Sequence, residues 1–351
     1  MSEAVPEFYW FREWHVLNDL RLVVNGFAVS KSPLREGDLV ATVNGLPANV
    51  KVTGPSQYAN DVFWFLAPEC RTAISIESSL PRDVTSAVVK LTLKTRAQDQ
   101  RAEHSFQIYA DCDSIADTPP IARIERVSGK GATAYNYHNN GATDFIRFSQ
   151  FAAAHGVEVA STKCRILDWG SGCARLTRHL LGLPGAHGRV VGIDIDSDNI
   201  GWSQEHFGAD HFRTVPLMPP TSFENGSFDL IIANSVLSHL TSDVMEQWLA
   251  EVARLLSPGG LALLSYHGDF SLAAVCSRSQ TLAESILRTG FNSDGRAPEL
   301  DQFIADASYY RQTFMTDRHA IDTFRRHFRV EGLVVGAVSR FQNVAILRSV
   351  D

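Results

Sequence analysis

The feature that most restricts the fold is an alternation of short apolar segments with longer amphipathic ones, which begins near residue 120. The apolar segments predict strands and read CRILDWG, RVVGIDI, FDLIIANSV and GLALLSYHG. The amphipathic segments between them predict helices and read ARLTRHLLGL, DNIGWSQEHF and DVMEQWLAEVARLL. Strands that alternate with helices form a doubly wound α/β sheet, whose ligands bind outside the carboxyl ends of the strands.

The first 115 residues follow a different pattern. Short β-rich runs such as LRLVVNGFAVS, TAISIES and AVVKLTLKT are separated by turn residues, including Asn-Gly pairs, which predicts a small antiparallel β sandwich. A chain of 351 residues exceeds what one hydrophobic core usually serves. We therefore predict a β-sandwich accessory domain over residues 1–115 and an α/β domain over residues 116–351, with a helical lid inserted at about 269–325.

Charge and cysteine usage exclude several classes of function. The formal net charge is −7 and there is no Lys/Arg run, so the pattern predicts neither a nucleic-acid nor a membrane partner, and a small or neutral ligand is favoured. The first residues, MSEAVPEFYWFREW, lack the basic start of a secretory signal, so we expect a cytoplasmic protein. Five scattered cysteines without C-x-x-C spacing predict neither disulfides nor a zinc site, and no metal is expected.

A glycine turn lies between the first strand and the first helix of the α/β pattern. The sequence DWGSGCAR begins at Asp168 and places Gly170 and Gly172 where backbone must pass close to a ligand. A dinucleotide site would require a small residue at the sixth position counted from Gly170, but Arg175 stands there. An NAD(P)-dependent oxidoreductase is therefore the weaker alternative.

These residues resemble motif I of class I S-adenosylmethionine-dependent methyltransferases, an acid followed by spaced glycines, with Ala174 in place of the third glycine. Asp194 closes the second strand, where the family places a carboxylate that accepts the ribose hydroxyls, and Ile195 could pack on adenine. SFDLIIANSVLSHL, which contains Asn234, resembles motif IV, and the final FRVEGLVVGAV and FQNVAILRS resemble the terminal antiparallel hairpin. The resemblance covers about residues 120–350.

The resemblance implies a Rossmann-like methyltransferase sheet, S-adenosylmethionine as cofactor and S-adenosylhomocysteine as product. It also implies that Arg126, in the segment before motif I, pairs with the methionine carboxylate, although a solvated surface charge is an equal alternative. The segment after the third strand lacks the acid that many relatives use for adenine, which leaves Thr214 to Leu217 for that contact. A narrower resemblance is to bacterial methyltransferases associated with glycan or secondary-metabolite assembly.

Two histidines are candidates for a general base. A hydroxyl acceptor arrives with a proton, and histidine is suited to remove it at neutral pH. His267 ends the strand LLSYH and His239 follows the strand that contains motif IV. A structural role is the alternative for each, and it is favoured for His239.

Four further residues are candidates for acceptor contacts. Aromatic side chains near a guanidinium suit a sugar or an aromatic acceptor, and packing within a helical lid is the alternative. These candidates are Tyr137, Tyr309, Tyr310 and Arg311. We therefore expect O-methylation of a small molecule or glycan, with a catalytically silent scaffold as a further alternative and the N-terminal domain as a candidate homodimer surface.

Overall fold

The computed structural model divides the chain into two compact units, residues 1–114 and residues 115–351. The structure describes residues 8–18, 21–55, 59, 63, 65–80, 86–96, 101–109, 112, 115–304, 306, 308–339 and 341–350. The division lies within one residue of the boundary expected from the proline-containing joint.

The first unit contains seven strands. They are β1 (Phe8–Asn18), β2 (Arg21–Ser30), β3 (Leu39–Val43), β4 (Leu46–Pro55), β5 (Arg71–Ser79), β6 (Ser86–Thr95) and β7 (Arg101–Tyr109). All pairs are antiparallel, and the hydrogen-bonded order is β1-β2-β5-β4-β3-β6-β7. β3 and β4 are joined by Asn44 and Gly45, whose φ angles of 51° and 81° fit a tight hairpin turn.

One core serves this whole order of strands. Trp10 of β1 and Phe106 of β7 belong to the same buried cluster, although their strands lie at opposite ends of the order. β4 makes the order continuous, since residues 46–48 pair with β3 and residues 49–55 pair with β5. The β-rich content agrees with the expectation, and the strands form one continuous hydrogen-bonded order around a shared core.

The aromatic run FYWFREW begins in β1. Phe8 and Trp10 are buried in the core of the first unit, whereas the Tyr9 side chain is 51% exposed. The side chains of residues 11–14 lie outside the described ones. Packing therefore accounts for two of these aromatic residues.

The second unit alternates helices and strands as the sequence pattern predicts. The strands of its main sheet are β8 (Ile166–Trp169), β9 (Val190–Asp194), β10 (Phe212–Thr214), β11 (Phe228–Ala233), β12 (Leu256–Tyr266), β15 (Phe328–Val338) and β16 (Gln342–Ser349). The helices are α1 (Ile121–Ser128), α2 (Ala134–Ala154), α3 (Thr177–Leu181), α4 (Ser197–Phe207), α5 (Ser242–Leu255), α6 (Asp269–Val275), α7 (Gln280–Thr289) and α8 (Asp317–Phe324).

The main sheet has the order β10-β9-β8-β11-β12-β16-β15. The first five strands of that order are parallel, and β16 and β15 add an antiparallel hairpin. The chain direction across the sheet reverses between β8 and β11, which creates a switch point at their carboxyl ends. The predicted Rossmann-like sheet and terminal hairpin are therefore present.

Alternating side chains give the sheet two buried faces. In β11, Ile231 joins one buried cluster, while Leu230 and Ile232 join the other. Helix α5 covers the first face with Met245, Trp248, Leu249 and Val252, which recur at helical spacing. Burial on both faces explains why the strands read as continuous apolar runs.

The segment between β12 and β15 is the predicted lid insertion. It contains α6, α7 and α8, but it also contains β13 (Phe291–Arg296) and β14 (Arg311–Met315), which pair antiparallel. The description of the insertion as helical is therefore wrong in part. Among the helices of the described residues, none combines the length and apolar character needed to cross a bilayer.

Gly141 provides a test of how closely α2 packs on the glycine turn. A Cβ added there would overlap the carbonyl oxygen of Arg175 and lie 3.0 Å from Arg175 Cγ. Gly→Ala inside a helix normally stabilises by about 1 kcal/mol. We expect Gly141→Ala instead to lower the free energy of unfolding by about 1–3 kcal/mol, measured by urea denaturation, because the site is overpacked.

Gly201 is the matched control, since it lies within α4 and a Cβ there would meet nothing within 4 Å. Gly201→Ala should be neutral or stabilising by up to about 1 kcal/mol. Equal stabilisation by both substitutions would contradict the packing described for α2.

Candidate active site

A cavity lies at the carboxyl ends of β8, β9 and β11, at the switch point of the sheet. Seven predicted cofactor residues line it: Arg126, Asp168, Gly170, Gly172, Asp194, Ile195 and Asn234. The lid insertion forms another part of its wall through Leu300, Tyr309 and Tyr310. The second unit therefore brings motif I, the end of β9, motif IV and the lid together around one space.

The glycine turn after β8 depends on backbone conformation and on packing. Gly170 and Gly172 have φ angles of 78° and 53°, which disfavour any side chain. A Cβ on Gly170 would overlap Cγ2 of Val236, and one on Gly172 would lie 2.8 Å from Cγ1 of Val127. Ala174, in the third glycine's place, also has a positive φ of 63°. Close protein packing, and not only ligand approach, requires the glycines.

Asp194 connects two turns of the site. Its Oδ2 accepts the Gly172 N–H at 2.8 Å, and its Oδ1 accepts the Asp196 N–H at 2.8 Å. A carboxylate can accept about four hydrogen bonds, so capacity remains for a ligand. Burial raises the pKa of Asp194 to about 6.

Asp168 is a second buried carboxyl in the cavity. Thr177 Oγ1 donates a hydrogen bond of 2.6 Å to Asp168 Oδ2. Burial raises the pKa of Asp168 to about 6, and the nearby negative charge of Asp194 adds to that shift. The site therefore holds carboxylates that a cationic ligand would stabilise.

Arg126 lines the cavity, but its guanidinium is already paired. Its Nη1 lies 2.8 Å from Asp196 Oδ2 and 3.0 Å from Asp198 Oδ2. The guanidinium carbon also lies 3.2 Å from the centre of the Phe303 ring. These contacts occupy Nη1 and neutralise the charge of Arg126, which disfavours its pairing with a ligand carboxylate; that pairing stays a prediction.

Arg175 is a cavity residue that the sequence reasoning did not assign to the site. Its Nη1 lies 3.4 Å from Asp144 Oδ2, which also accepts a hydrogen bond of 2.9 Å from Asn234 Nδ2. This single long contact leaves Arg175 less neutralised than Arg126. Its position directly after motif I was the sequence signal that could have assigned Arg175 to the site.

Ser171 is a second residue that was missed. Its side chain is buried and lines the cavity, and its hydroxyl has no hydrogen-bond partner among the described residues. A buried hydroxyl without a partner is rare in a native protein and points to a ligand or a water molecule. The only sequence signal was its place between the two glycines.

His239 lines the cavity, and its ring orientation is fixed. Its Nδ1–H donates to the carbonyl oxygen of Arg311 at 2.8 Å, and its ring stacks on Tyr310 with centroids 4.0 Å apart. Burial lowers the pKa of His239. The neutral tautomer with a proton on Nδ1 leaves the Nε2 lone pair as an acceptor.

His267 is not among the residues that line the cavity. Its Nδ1–H donates to the Thr313 carbonyl at 2.9 Å, and its ring packs on Phe314 and Phe341 with centroid distances of 4.7 and 5.0 Å. Burial lowers the pKa of His267 to about 4. The structure therefore supports packing for His267 and corrects its prediction as the base.

Three other predicted contacts lie outside the cavity lining. The buried Tyr137 hydroxyl donates to the Cys173 carbonyl at 2.6 Å. The Arg311 guanidinium donates from Nε to the Ser293 carbonyl at 2.9 Å. The Leu217 carbonyl accepts a hydrogen bond of 2.6 Å from the Tyr309 hydroxyl. Internal hydrogen bonds therefore occupy the polar groups that had been expected to meet ligands.

A family model described as "Methyltransferase domain" matches residues 166–260, which contain the glycine turn, Asp194 and motif IV. The arsenite methyltransferase of Aquipseudomonas alcaligenes is 35% identical over 108 residues, which cover 28% of this chain and 31% of that protein. The squalestatin tetraketide synthase of Cochliobolus lunatus is 34% identical over 123 residues, or 31% of this chain and 5% of that protein. The chain thus spans less than a third of either curated relative.

Two solved structures are similar to part of this chain. A SAM-dependent methyltransferase from Methanosarcina mazei is 19% identical, with 54% of this chain and 94% of that chain covered and a TM-score of 0.41. A SAM-dependent methyltransferase from Aquifex aeolicus is 11% identical, with 64% and 98% covered and a TM-score of 0.41. On the family match, residues 166–260 form a methyltransferase domain, and the cofactor that the motifs within it imply is S-adenosylmethionine.

Proposed function

We propose that this chain methylates a hydroxyl of a small molecule or glycan, with His239 as general base. The environment of His239 carries the proposal, because Nδ1–H is held by the Arg311 carbonyl at 2.8 Å and the ring lines the cavity. The Nε2 atom is thereby left to take the proton of the hydroxyl. A positioned base of this kind contributes about 10²- to 10⁴-fold to a rate.

The cavity residues fit the cofactor in charge and in hydrogen-bonding capacity. When bound, S-adenosylmethionine supplies an activated methyl group on a positively charged sulfur and becomes S-adenosylhomocysteine. Asp194 keeps acceptor capacity for ribose hydroxyls, and Ser171 has a buried hydroxyl without a partner among the described residues. Ile195 is an apolar part of the wall beside Asp194. The carboxylates of Asp168 and Asp194 favour a cation.

We assign the methionine carboxylate to Arg175 instead of Arg126. Arg126 is paired at 2.8 and 3.0 Å with two carboxylates, whereas Arg175 has one carboxylate at 3.4 Å. A guanidinium with spare donors can bind a carboxylate through two parallel hydrogen bonds. Arg126 then acts indirectly, by holding Asp196 and Phe303 at the edge of the cavity.

The base is assigned to His239 because His267 is excluded from the lining residues. Burial lowers the pKa of His239, so the imidazole stays neutral at pH 7 and can accept a proton. Removal of the proton accompanies formation of the carbon–oxygen bond, while the electron pair of the breaking carbon–sulfur bond stays on sulfur. The chain's part in the step is orientation, exclusion of water and proton acceptance.

One relative is an arsenite methyltransferase, but the cavity of this chain does not favour arsenite as a substrate. Trivalent arsenic binds thiols strongly, and among the described residues that line the cavity none is a cysteine. Cys173 lies in the glycine turn, where burial raises the pKa of its thiol to about 12. A thiol held protonated and outside the cavity lining is a poor arsenic ligand.

Titration calorimetry with S-adenosylmethionine, S-adenosylhomocysteine, NAD and NADP tests this function first. We expect binding of the first two only. Methyl transfer from radiolabelled cofactor to hydroxyl compounds then separates an enzyme from a silent scaffold. Binding of NAD or NADP without S-adenosylmethionine would favour the oxidoreductase alternative.

Four expectations from the sequence stay predictions. They are a bacterial glycan context, a cytoplasmic location, the absence of nucleic-acid and membrane partners, and a homodimer through residues 1–115.

The raised pKa values of Asp168 and Asp194 predict a pH-dependent cofactor affinity. The ionised forms accept the ribose hydroxyls and attract the cationic ligand, and both carboxyls become protonated as pH falls through about 6. We expect the dissociation constant of S-adenosylhomocysteine to be flat above pH 7. Below pH 6 it should rise by about tenfold per unit for each carboxyl that must ionise.

Calorimetry from pH 5 to 8 measures this dependence. Asp198→Asn is the control, because Asp198 is not among the lining residues and its neighbour Arg123 holds the pKa of that carboxyl below its usual range. It should follow the wild-type profile. An affinity that does not change between pH 5 and 8 would contradict an ionised Asp194 at the ribose.

His239→Asn removes the base while its amide can still donate to the Arg311 carbonyl. We expect turnover at saturating cofactor to fall by about 10²- to 10⁴-fold, with S-adenosylhomocysteine affinity nearly unchanged. Wild-type turnover should decline as pH falls through a value below 6.5, since the pKa of His239 is lowered and imidazolium cannot accept a proton.

His267→Asn is the matched control, because His267 has the same carbonyl contact through Nδ1 but lies outside the cavity lining. Its turnover should stay close to wild type once the amount of folded protein is equalised. A large loss in His267→Asn with none in His239→Asn would reverse the assignment of the base.

A further inference from the structure

The loop after β10 does not form the wall that the sequence assigned to it. Thr214 to Leu217 were expected to contact adenine, yet of the described residues that line the cavity none belongs to this stretch. Tyr309 of the lid lines the cavity instead, and it covers the carbonyl oxygen of Leu217. Tyr309 of the lid therefore forms the part of the cavity wall that was expected from the loop after β10.

Tyr309 is held there by two hydrogen bonds. Its hydroxyl donates to the Leu217 carbonyl at 2.6 Å and accepts from Trp248 Nε1 at 3.1 Å. Trp248 Nε1 also lies 3.0 Å from the Leu217 carbonyl. The side chain of Tyr309 is buried, as is that of Trp248. The three groups therefore form a closed polar contact within an apolar core.

Trp248 connects these hydrogen bonds to a residue that lines the cavity. The Trp248 ring stacks on Trp169 with centroids 5.0 Å apart, and Trp169 lines the cavity at the end of β8. Trp169 is the residue immediately before Gly170 of the glycine turn. Tyr309 is thus tied to the same buried aromatic pair that supports motif I.

Tyr309 lines the same cavity as Asp194. Burial raises the pKa of the Tyr309 hydroxyl to about 12, so this group stays protonated at neutral pH. The carboxylate of Asp194 is the residue that we assign to the ribose hydroxyls. A ligand that fills the cavity therefore meets both groups.

We propose that Tyr309 is a cofactor-binding residue, whose ring walls the adenosine half of S-adenosylmethionine in place of the loop after β10. The inference rests on the proposed function and reassigns Tyr309 from the acceptor to the cofactor. An aromatic ring suits this place, because nucleobases and riboses pack well on flat apolar surfaces. The lid must then be in place around the cofactor for tight binding.

The assignment links cofactor binding to the base. Tyr310, the next residue, stacks on His239, and the carbonyl of Arg311 accepts the His239 Nδ1–H at 2.8 Å. Three consecutive lid residues thus hold the adenosine wall and the general base.

Two variants separate the contribution of the Tyr309 ring to ligand affinity from that of its hydroxyl. Tyr309→Phe keeps the ring and removes both hydrogen bonds, so we expect a dissociation constant for S-adenosylhomocysteine that is about 3- to 10-fold higher. Tyr309→Ala removes the wall, and we expect a loss of more than about tenfold for both S-adenosylhomocysteine and adenosine. Calorimetry with these two ligands measures both effects, and Tyr309→Phe remains informative if Tyr309→Ala does not fold.

Two comparison variants make the adenosine assignment specific. Arg175→Gln, at the methionine end, should weaken S-adenosylhomocysteine binding but leave adenosine binding unchanged. Leu287→Ala, on α7 of the same insertion, alters a side chain that is 87% exposed and should change neither affinity. A purely structural role for Tyr309 would instead lower thermal stability and leave the affinity of folded Tyr309→Phe for both ligands unchanged, which would overturn the assignment.

The outcomes distinguish this inference from the proposed function. Wild-type protein that binds no S-adenosylhomocysteine would overturn the function. If wild-type protein binds S-adenosylhomocysteine and both Tyr309 variants bind it with the same affinity, only the role of Tyr309 is overturned. A rise in the acceptor KM with unaltered cofactor affinity would also overturn it, because Tyr309 would then face the acceptor.

Discussion

The site depends on the carboxylate of Asp194, which joins the turn after β8 to the turn after β9. It accepts the N–H of Gly172 and that of Asp196, both at 2.8 Å. The first bond needs the positive φ of Gly172, and Asp196 in turn caps α4 by accepting the N–H groups of Asp198 and Asn199. One half-buried side chain thus sets the shape of the cofactor turn and the start of the next helix, and it keeps acceptor capacity for a ligand.

The polar groups of the cavity differ in whether other protein groups already fill their ion-pairing and hydrogen-bonding capacity. Arg126 is neutralised by carboxylates at 2.8 and 3.0 Å, so its charge supports the wall. Arg175 and Ser171 are less satisfied, with one long ion pair and no hydroxyl partner among the described residues, respectively. Buried polar groups that lack partners cost free energy, and a ligand that pairs with them recovers it. This difference, more than residue type, separates binding groups from supporting groups.

The lid insertion contributes to both halves of the proposed reaction. Tyr309 reaches the Leu217 carbonyl and Trp248 on the cofactor side, while Tyr310 and the Arg311 carbonyl hold His239. β13 and β14 support this short run, because Arg311 begins β14 and its guanidinium donates to the backbone of β13. A two-stranded sheet within the lid therefore fixes residues that a purely helical segment would present differently.

The sequence by itself determined the alternating α/β pattern, the glycine turn, Asp194 and the cofactor class, because these depend on hydrophobic period, backbone conformation and local spacing. It could not decide which of two strand-following histidines meets the cavity, since both donate Nδ1–H to a lid carbonyl and only packing distinguishes them. It also misplaced Tyr137, Leu217 and Arg311, whose polar groups are satisfied by residues distant in the chain. These partners arise only when α2 packs on the glycine turn, when β13 pairs with β14, and when the lid packs on the sheet. Tertiary structure was therefore needed to favour His239, Arg175 and Tyr309.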